Sequence, residues 1–392
     1  MNKYKTLAAL VATALLATAG AASAQSLVQG GGASLPAKLY KGSADSILPA
    51  NFSYAVTGSG TGKKAFLENN SALFSTTGTV HFAGSDSVLS SAELSTYTTN
   101  FNRPTNANRY GALIQVPSVA TSVTIPFNKA GSAVDLSVAQ ICGVFSGAIS
   151  DWSTIDTDRS GPIQVVYRPE SSGTSEILTR FLATNCARER AETSNLVGGT
   201  FAIKSTFADL YKRDANGSLP GFLVAAPATG DTSLYNAVYA FEGRIGYAGP
   251  DVIPSLTDAT KVAKVRGFSP DRAQWEFILT VFDPPSGIAA QDPANWAPYM
   301  GNPSVIYPII GYTYLLIGQC YKDQTVANKL RGFLARHYSA AYPAAYEASI
   351  TGHGFAPLPK MWRDAIRNRF VLASSTAGLN NPSTCSGIGR PL

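Results

Sequence analysis

Residues 163–183 read IQVVYRPESSGTSEILTRFLA. The run 163–168 is β-branched and aromatic and predicts a strand. Residues 170–175, Glu-Ser-Ser-Gly-Thr-Ser, are its turn. From 176 to 183 the apolar residues Ile177, Leu178, Phe181 and Leu182 recur at helical spacing and predict a helix with one buried face. A strand, a Gly/Ser/Thr turn and a helix in succession form the unit of an α/β fold.

The theme repeats without a fixed period. Residues 29–34 precede a helical pattern over 36–47, and the alternating stretch 52–57 leads through Gly58-Ser59-Gly60-Thr61-Gly62 into a helix over 63–69. A short buried strand over 80–84 ends at Ser85-Asp86. Strands alternating with helices imply largely parallel sheets, and ligands of such sheets bind beyond the carboxyl ends of the strands, where these turns lie. Two extended, proline-marked stretches, 115–121 and 304–310, read as crossings between two lobes. Residues 25–117 with 308–392 would form lobe I, and 118–307 lobe II. The apolar run 305–318 is interrupted by Pro308, Gly311 and Tyr312 and reads as buried strand, not membrane span. The proline-rich stretch 283–303 reads as a surface loop.

The chain has 392 residues. Lys3 and Lys5, an apolar run over 7–19 and Ala22-Ser23-Ala24 read as a signal peptide spanning 1–24, which implies export. The length beyond Ala24 exceeds one ordinary core, so two domains are expected. Charged residues are only 14% and the net charge is +6 without any basic run, which argues against a nucleic-acid partner. Cys142, Cys186, Cys320 and Cys385 include no C-x-x-C pair, so a zinc ribbon or thioredoxin-type site is not expected. Export makes disulfides the expectation. Of the three pairings, Cys142–Cys186 with Cys320–Cys385 keeps each bridge within one lobe.

Four segments carry the chemistry: Ala33-Ser34-Leu35-Pro36, Gly58 to Lys63, Ala83-Gly84-Ser85-Asp86-Ser87, and Arg168 to Ser175. Helix starts near Ser34, Ser59 and Ser172 would leave unpaired N–H groups and a favourable dipole for an anion. Ser34 also reads as a helix cap. Arg168 would add a fixed fork of donors, and the hydroxyls of Ser34, Ser59, Ser172 and Thr174 would complete a tetrahedral set. Asp86 repels an anion unless the anion has a proton to donate. Phosphate does at neutral pH, its second pKa being about 6 to 7, and sulfate does not, so the wrong ligand leaves lone pairs facing each other.

At these residues the sequence resembles the phosphate-binding proteins of bacterial ABC importers, and among them the DING-type branch. The matches are Gly31 to Pro36, Thr57 to Lys63, Phe82 to Asp86 and Tyr167 to Ser175, supported by Gly243-Arg244-Ile245-Gly246-Tyr247 and Tyr307-Pro308-Ile309-Ile310. The region equivalent to the Asp-Ile-Asn-Gly start of that branch reads Ser26-Leu27-Val28-Gln29-Gly30. The resemblance implies a two-lobed type II periplasmic-binding-protein fold closing by a hinge, with no cofactor, no metal and no catalytic residue. It implies phosphate held by Ser34, the backbone at Leu35, Ser59, Asp86, Arg168, Ser172, Gly173 and Thr174. Asp86 argues against sulfate but not against arsenate, which also carries a proton. The implied partner is a membrane permease served by a periplasmic monomer.

The rival reading is an enzyme, because proteins resembling the DING branch have been linked with phosphatase activity. A hydrolase needs a nucleophile with a base, or metals. The histidines are His81, His337 and His353, and no H-x-H, H-E-x-x-H or G-x-S-x-G is present. His81 reads as a packed core residue and His353 as a loop residue.

Overall fold

The computed structural model describes residues 27–106, 108–187, 194–298 and 303–392; the signal-peptide reading of 1–24 lies outside them. Twelve strands are present among the described residues: β1 Val28–Gly32, β2 Phe52–Val56, β3 Phe82–Ser85, β4 Leu113–Ser122, β5 Phe127–Asn128, β6 Asp135–Leu136, β7 Gln164–Tyr167, β8 Leu223–Ala225, β9 Arg244–Ile245, β10 Lys264–Val265, β11 Ile310–Gly318 and β12 Ala356–Pro357. They build a six-stranded sheet in the order β12-β4-β11-β3-β1-β2, a four-stranded sheet β5-β9-β7-β8, and the pair β10-β6. The fold is α/β, with helices packed on both larger sheets.

The six-stranded sheet is less parallel than the strand–helix alternation predicts. β2, β1 and β3 run parallel, while β11 pairs antiparallel with β3 and β4, and β12 antiparallel with β4. Every residue of β4 and β11 is buried. An unbroken apolar run marks such a strand but gives no direction. The expected strand over 305–318 starts only at Ile310, because Pro308 has no N–H for the ladder. The register of β4 and β11 shifts between Thr313 and Tyr314, which pair with Val119 and Pro117, so Ser118 is an extra, bulged residue.

Helix Gly173–Asn185 follows β7 and buries Ile177, Leu178, Phe181 and Leu182, each contributing roughly 1.5–3 kcal/mol. It begins where Ser172 Oγ accepts from the Ser175 amide at 3.2 Å. Helix Ser59–Glu68 starts four residues earlier than the 63–69 reading, behind Gly58 at φ 85°. It crosses β1 where Gly32 and Gly62 meet; a Cβ on Gly32 would stand 2.1 Å from the Gly84 carbonyl oxygen, so no side chain fits. The helix expected over 36–47 is a single turn, Ala37–Tyr40, because Gly42 turns away at φ 112°. Its N-cap is Pro36, and Ser34 caps nothing.

Disulfides join Cys142 to Cys186 and Cys320 to Cys385. The loop expected over 283–303 contains two short 3-10 turns, Ala289–Gln291 and Pro293–Trp296, and Trp296 is buried. Arg390, wholly buried, fastens the tail by donating to the carbonyls of Val80 and Phe66, with its guanidinium over the Phe66 ring. No helix among the described residues is long and apolar enough to cross a membrane.

Candidate functional site

The four sequence segments meet between the two larger sheets. Ser59 opens its helix beyond the end of β2, and its Oγ accepts from the Asp86 amide at 3.0 Å and lies 3.4 Å from Asp86 Oδ2. Gly173 opens the second helix against the same two residues; a Cβ there would fall 2.4 Å from Asp86 Cβ and 2.6 Å from Ser59 Oγ. The Gly60 amide donates to the Ser171 carbonyl at 3.2 Å, so the turns after β2 and β7 touch directly. Leu35 is buried with its side chain against Gly249.

Arg168, wholly buried, directly follows β7. Its Nε donates to Glu170 Oε1 at 2.5 Å and its Nη1 to Asp231 Oδ2 at 2.9 Å. Its Nη2 ion-pairs with Glu170 but has no aligned acceptor for its hydrogens. Burial works against the guanidinium charge, but the Asp231 and Glu170 carboxylates outweigh it and hold Arg168 more firmly protonated than usual. Behind it, the Tyr247 hydroxyl accepts from the Arg168 amide at 3.1 Å and bonds Ser175 Oγ at 2.7 Å.

Asp231 is the residue that sequence reasoning missed. It opens helix Asp231–Tyr239 behind Gly230 at φ 105° and is 1% exposed. Its Oδ2 accepts from Ser34 Oγ at 2.7 Å, from Arg168 Nη1 and, at 3.3 Å, from Thr174 Oγ1; its Oδ1 accepts from the Gly249 amide at 3.1 Å. The signal was present in Thr229-Gly230-Asp231-Thr232-Ser233, another Gly/Ser/Thr turn ahead of an apolar helix face of Leu234, Ala237 and Val238.

Asp86 is 3% exposed, and its Oδ1 has no hydrogen-bond partner within the chain. Burial, and then the Asp231 carboxylate, push its carboxyl up to about 8. Two carboxyls, one guanidinium, three hydroxyls and three helix starts thus come together. The arrangement suits a small tetrahedral oxyanion that shares protons with its walls.

The three histidines lie elsewhere. His81 Nδ1 accepts from the Gln29 amide at 2.9 Å, and burial lowers its ring to about 4. His337 bonds Ser118 Oγ and the Tyr346 hydroxyl, both at 2.8 Å. His353 is no plain loop residue: it bridges Asp251 at 2.5 Å and Asp45 at 3.2 Å. Among the described residues no cluster of three or more His, Cys, Asp and Glu side chains could hold a metal ion.

A family model described as a PBP superfamily domain matches residues 17–339. A phosphate-binding protein from Stenotrophomonas maltophilia has a solved structure 63% identical to this chain, with a TM-score of 0.88, covering 93% of this chain and 100% of that one. A high-affinity periplasmic phosphate-binding protein, PfluDING, solved with phosphate bound, is 43% identical over 93% of this chain and 100% of its own, with a TM-score of 0.83. Alkaline phosphatase L of Pseudomonas aeruginosa is 46% identical over 96% of this chain and 98% of its own length.

Proposed function

The chain belongs to the PBP superfamily, alongside the DING-type phosphate-binding proteins, and from that membership we propose that it captures inorganic phosphate in the periplasm and delivers it to an ABC-type permease. It works as a monomer, and arsenate, which also carries a proton, is a second ligand. The ion is held by Ser34, the Leu35 backbone, Ser59, Asp86, Arg168, Ser172, Gly173 and Thr174.

The observation that carries this reading is the buried Asp86 Oδ1, without a partner, at the meeting point of the 59–68 and 173–185 helix starts. A carboxyl so placed needs a ligand that exchanges a hydrogen with it, and phosphate does. Lobe I is residues 25–117 with 308–392 and lobe II is 118–307. The bulge at Ser118 supports the first crossing, since a bulge interrupts the ladder and lets the strand bend. Ser34, Ser59 and Asp86 then stand on one lobe and Arg168, Ser172, Gly173 and Thr174 on the other, so a bound ion favours closure in proportion to its greater affinity for the closed form.

Calorimetric titration with phosphate, arsenate and sulfate tests the reading. Saturable one-to-one binding of the first two and none of sulfate is expected; equal affinity for all three refutes it.

A second reading, phosphomonoester hydrolysis, is favoured by the Ser34 Oγ–Asp231 pair at 2.7 Å, a hydroxyl against a carboxylate base. Against it, Arg168, Ser172 and Thr174 are at most 1% exposed, which leaves little room for an ester's leaving group. Steady turnover of a chromogenic phosphomonoester by the purified protein, lost in Ser34→Ala, would establish it.

A further inference from the structure

We propose that His353 and Asp251 form a latch across the seam between the two lobes, which holds the closed form while the histidine carries a proton and so sets how long the bound ion stays. The inference rests on the lobe division and the phosphate-binding reading above, and adds to them two residues outside the expected ligand set.

His353 follows helix Ala344–Gly352 of lobe I, and Asp251 lies in the 3-10 turn Pro250–Val252 of lobe II. The ring Nδ1 meets Asp251 Oδ1 at 2.5 Å, between residues 102 apart in sequence. The two side chains are 11% and 4% exposed, so water screens the pair little. Asp251 Oδ2 accepts from the Leu39 amide at 3.2 Å, one of the N–H groups that a helix start leaves unpaired. One carboxylate of lobe II thus takes donors from two separate elements of lobe I. The loops meet closely: a Cβ on Gly354, whose φ is 80°, would stand 2.8 Å from Pro250 Cβ. Two residues before Asp251, Gly249 packs on the Leu35 side chain, so the same stretch runs from the latch to the ligand cleft. Neither hydrogen bond of the latch involves a group expected to touch the ion.

The lobes must part before an enclosed ion can leave, so a contact made only in the closed form slows release. The charged groups facing His353 are Asp251, Asp45 at 3.2 Å from Nε2 on its own lobe, and Lys38, whose Nζ donates to the Asp251 carbonyl at 3.5 Å. Glu347 lies on the helix that precedes it. Asp271 and Arg272 line the same cavity of about 240 Å3, and Arg272 is paired with Glu276. The hydrogen bond to Asp251 is the chief cause that raises the ring above its ordinary value. The latch therefore holds fully below about 6.5 and weakens as pH rises through the raised value.

The test measures release of radiolabelled inorganic phosphate, chased with excess unlabelled phosphate, at pH 5.5 and pH 8.5. Each variant is compared with wild type at the same pH, which cancels the titration of the ion itself. At pH 5.5 His353→Gln and Asp251→Asn should each release at least about threefold faster than wild type, and the double variant no faster than the quicker single one. At pH 8.5 the ratio for His353→Gln should fall toward one. Asp45→Asn, which removes the partner on the histidine's own lobe, should stay within about twofold of wild type. The latch is refuted if His353→Gln releases at the wild-type rate at pH 5.5, if its ratio is the same at both pH values, or if Asp45→Asn is as fast as Asp251→Asn. Should His353→Gln not fold, His353→Asn is judged by the same criteria. A wild type that binds no phosphate would instead overturn the function itself, and small-angle scattering then decides on the latch. The radius of gyration of the ligand-free wild type should rise from pH 5.5 to pH 8.5 while that of His353→Gln does not, and a constant wild-type radius refutes it.

Discussion

Replacing Asp86 by asparagine should stabilise the ligand-free protein at alkaline pH. In the unfolded chain the carboxyl ionises near 3.8; in the fold, burial and then the Asp231 carboxylate push it up to about 8. Between these values folding takes up a proton, so this residue's contribution to stability falls as pH rises and is lowest at and above pH 8. At about 1.4 kcal/mol per pH unit, the full interval amounts to roughly 6 kcal/mol as an upper bound, and relaxation of the cleft reduces it to about half. Asparagine has nearly the same shape and never ionises. Urea unfolding of wild type and Asp86→Asn without phosphate, at pH 5.5 and pH 8.5, should show the variant's advantage growing by at least about 1.5 kcal/mol between the two. At pH 8.5 saturating phosphate should narrow the variant's advantage, because the ion shares its proton with the ionised wild-type carboxyl and relieves the cost of burying that charge. A stability difference that does not change with pH would show that Asp86 is not held protonated by its surroundings, and would remove the premise that it shares a proton with the ligand.

Arg168→Ala should weaken phosphate binding by at least a hundredfold in the same titration, because it deletes a buried donor fork and leaves Asp231 and Glu170 without their cation; an unchanged dissociation constant would take Arg168 out of the site. His353 is raised by its hydrogen bond to Asp251 and then by Asp45, so its pairing stabilises fully below about 6.5 and is lost as pH rises through the elevated value. The gap in melting temperature between wild type and His353→Gln should therefore narrow from pH 5.5 to pH 8.5, and a constant gap would contradict this.

How much of the molecule is legible in the sequence depends on how local each signal is. The 163–183 stretch carries strand, turn and helix face together, and all four apolar residues of the predicted face are buried. Its reading needs only neighbours within one or two turns. Ser34 reads as a cap because its true partner, Asp231, lies 197 residues away, and no periodicity links them. Asp231 escapes notice for the same reason: alone, an Asp after a glycine opens many helices. The orientation of β11 is illegible because a fully buried strand has no polar face to give its pairing away. The early start of the 59–68 helix is hidden by glycines that propensity counts as breakers, and that the fold needs for the close approach of Gly32 and Gly62.

The two disulfides close segments separated by 44 and 65 residues, one beside each larger sheet, and neither ties the sheets to each other. By loop-closure entropy each is worth about 4 kcal/mol. Together they rival the whole net stability of an ordinary domain, roughly 5–15 kcal/mol. A chain still in a reducing compartment lacks both clamps and stays close to its unfolding threshold, the loose state in which a polypeptide threads most easily through a membrane. In the exported, closing protein proposed above, oxidation after passage would lock each half separately and leave the swing between them free.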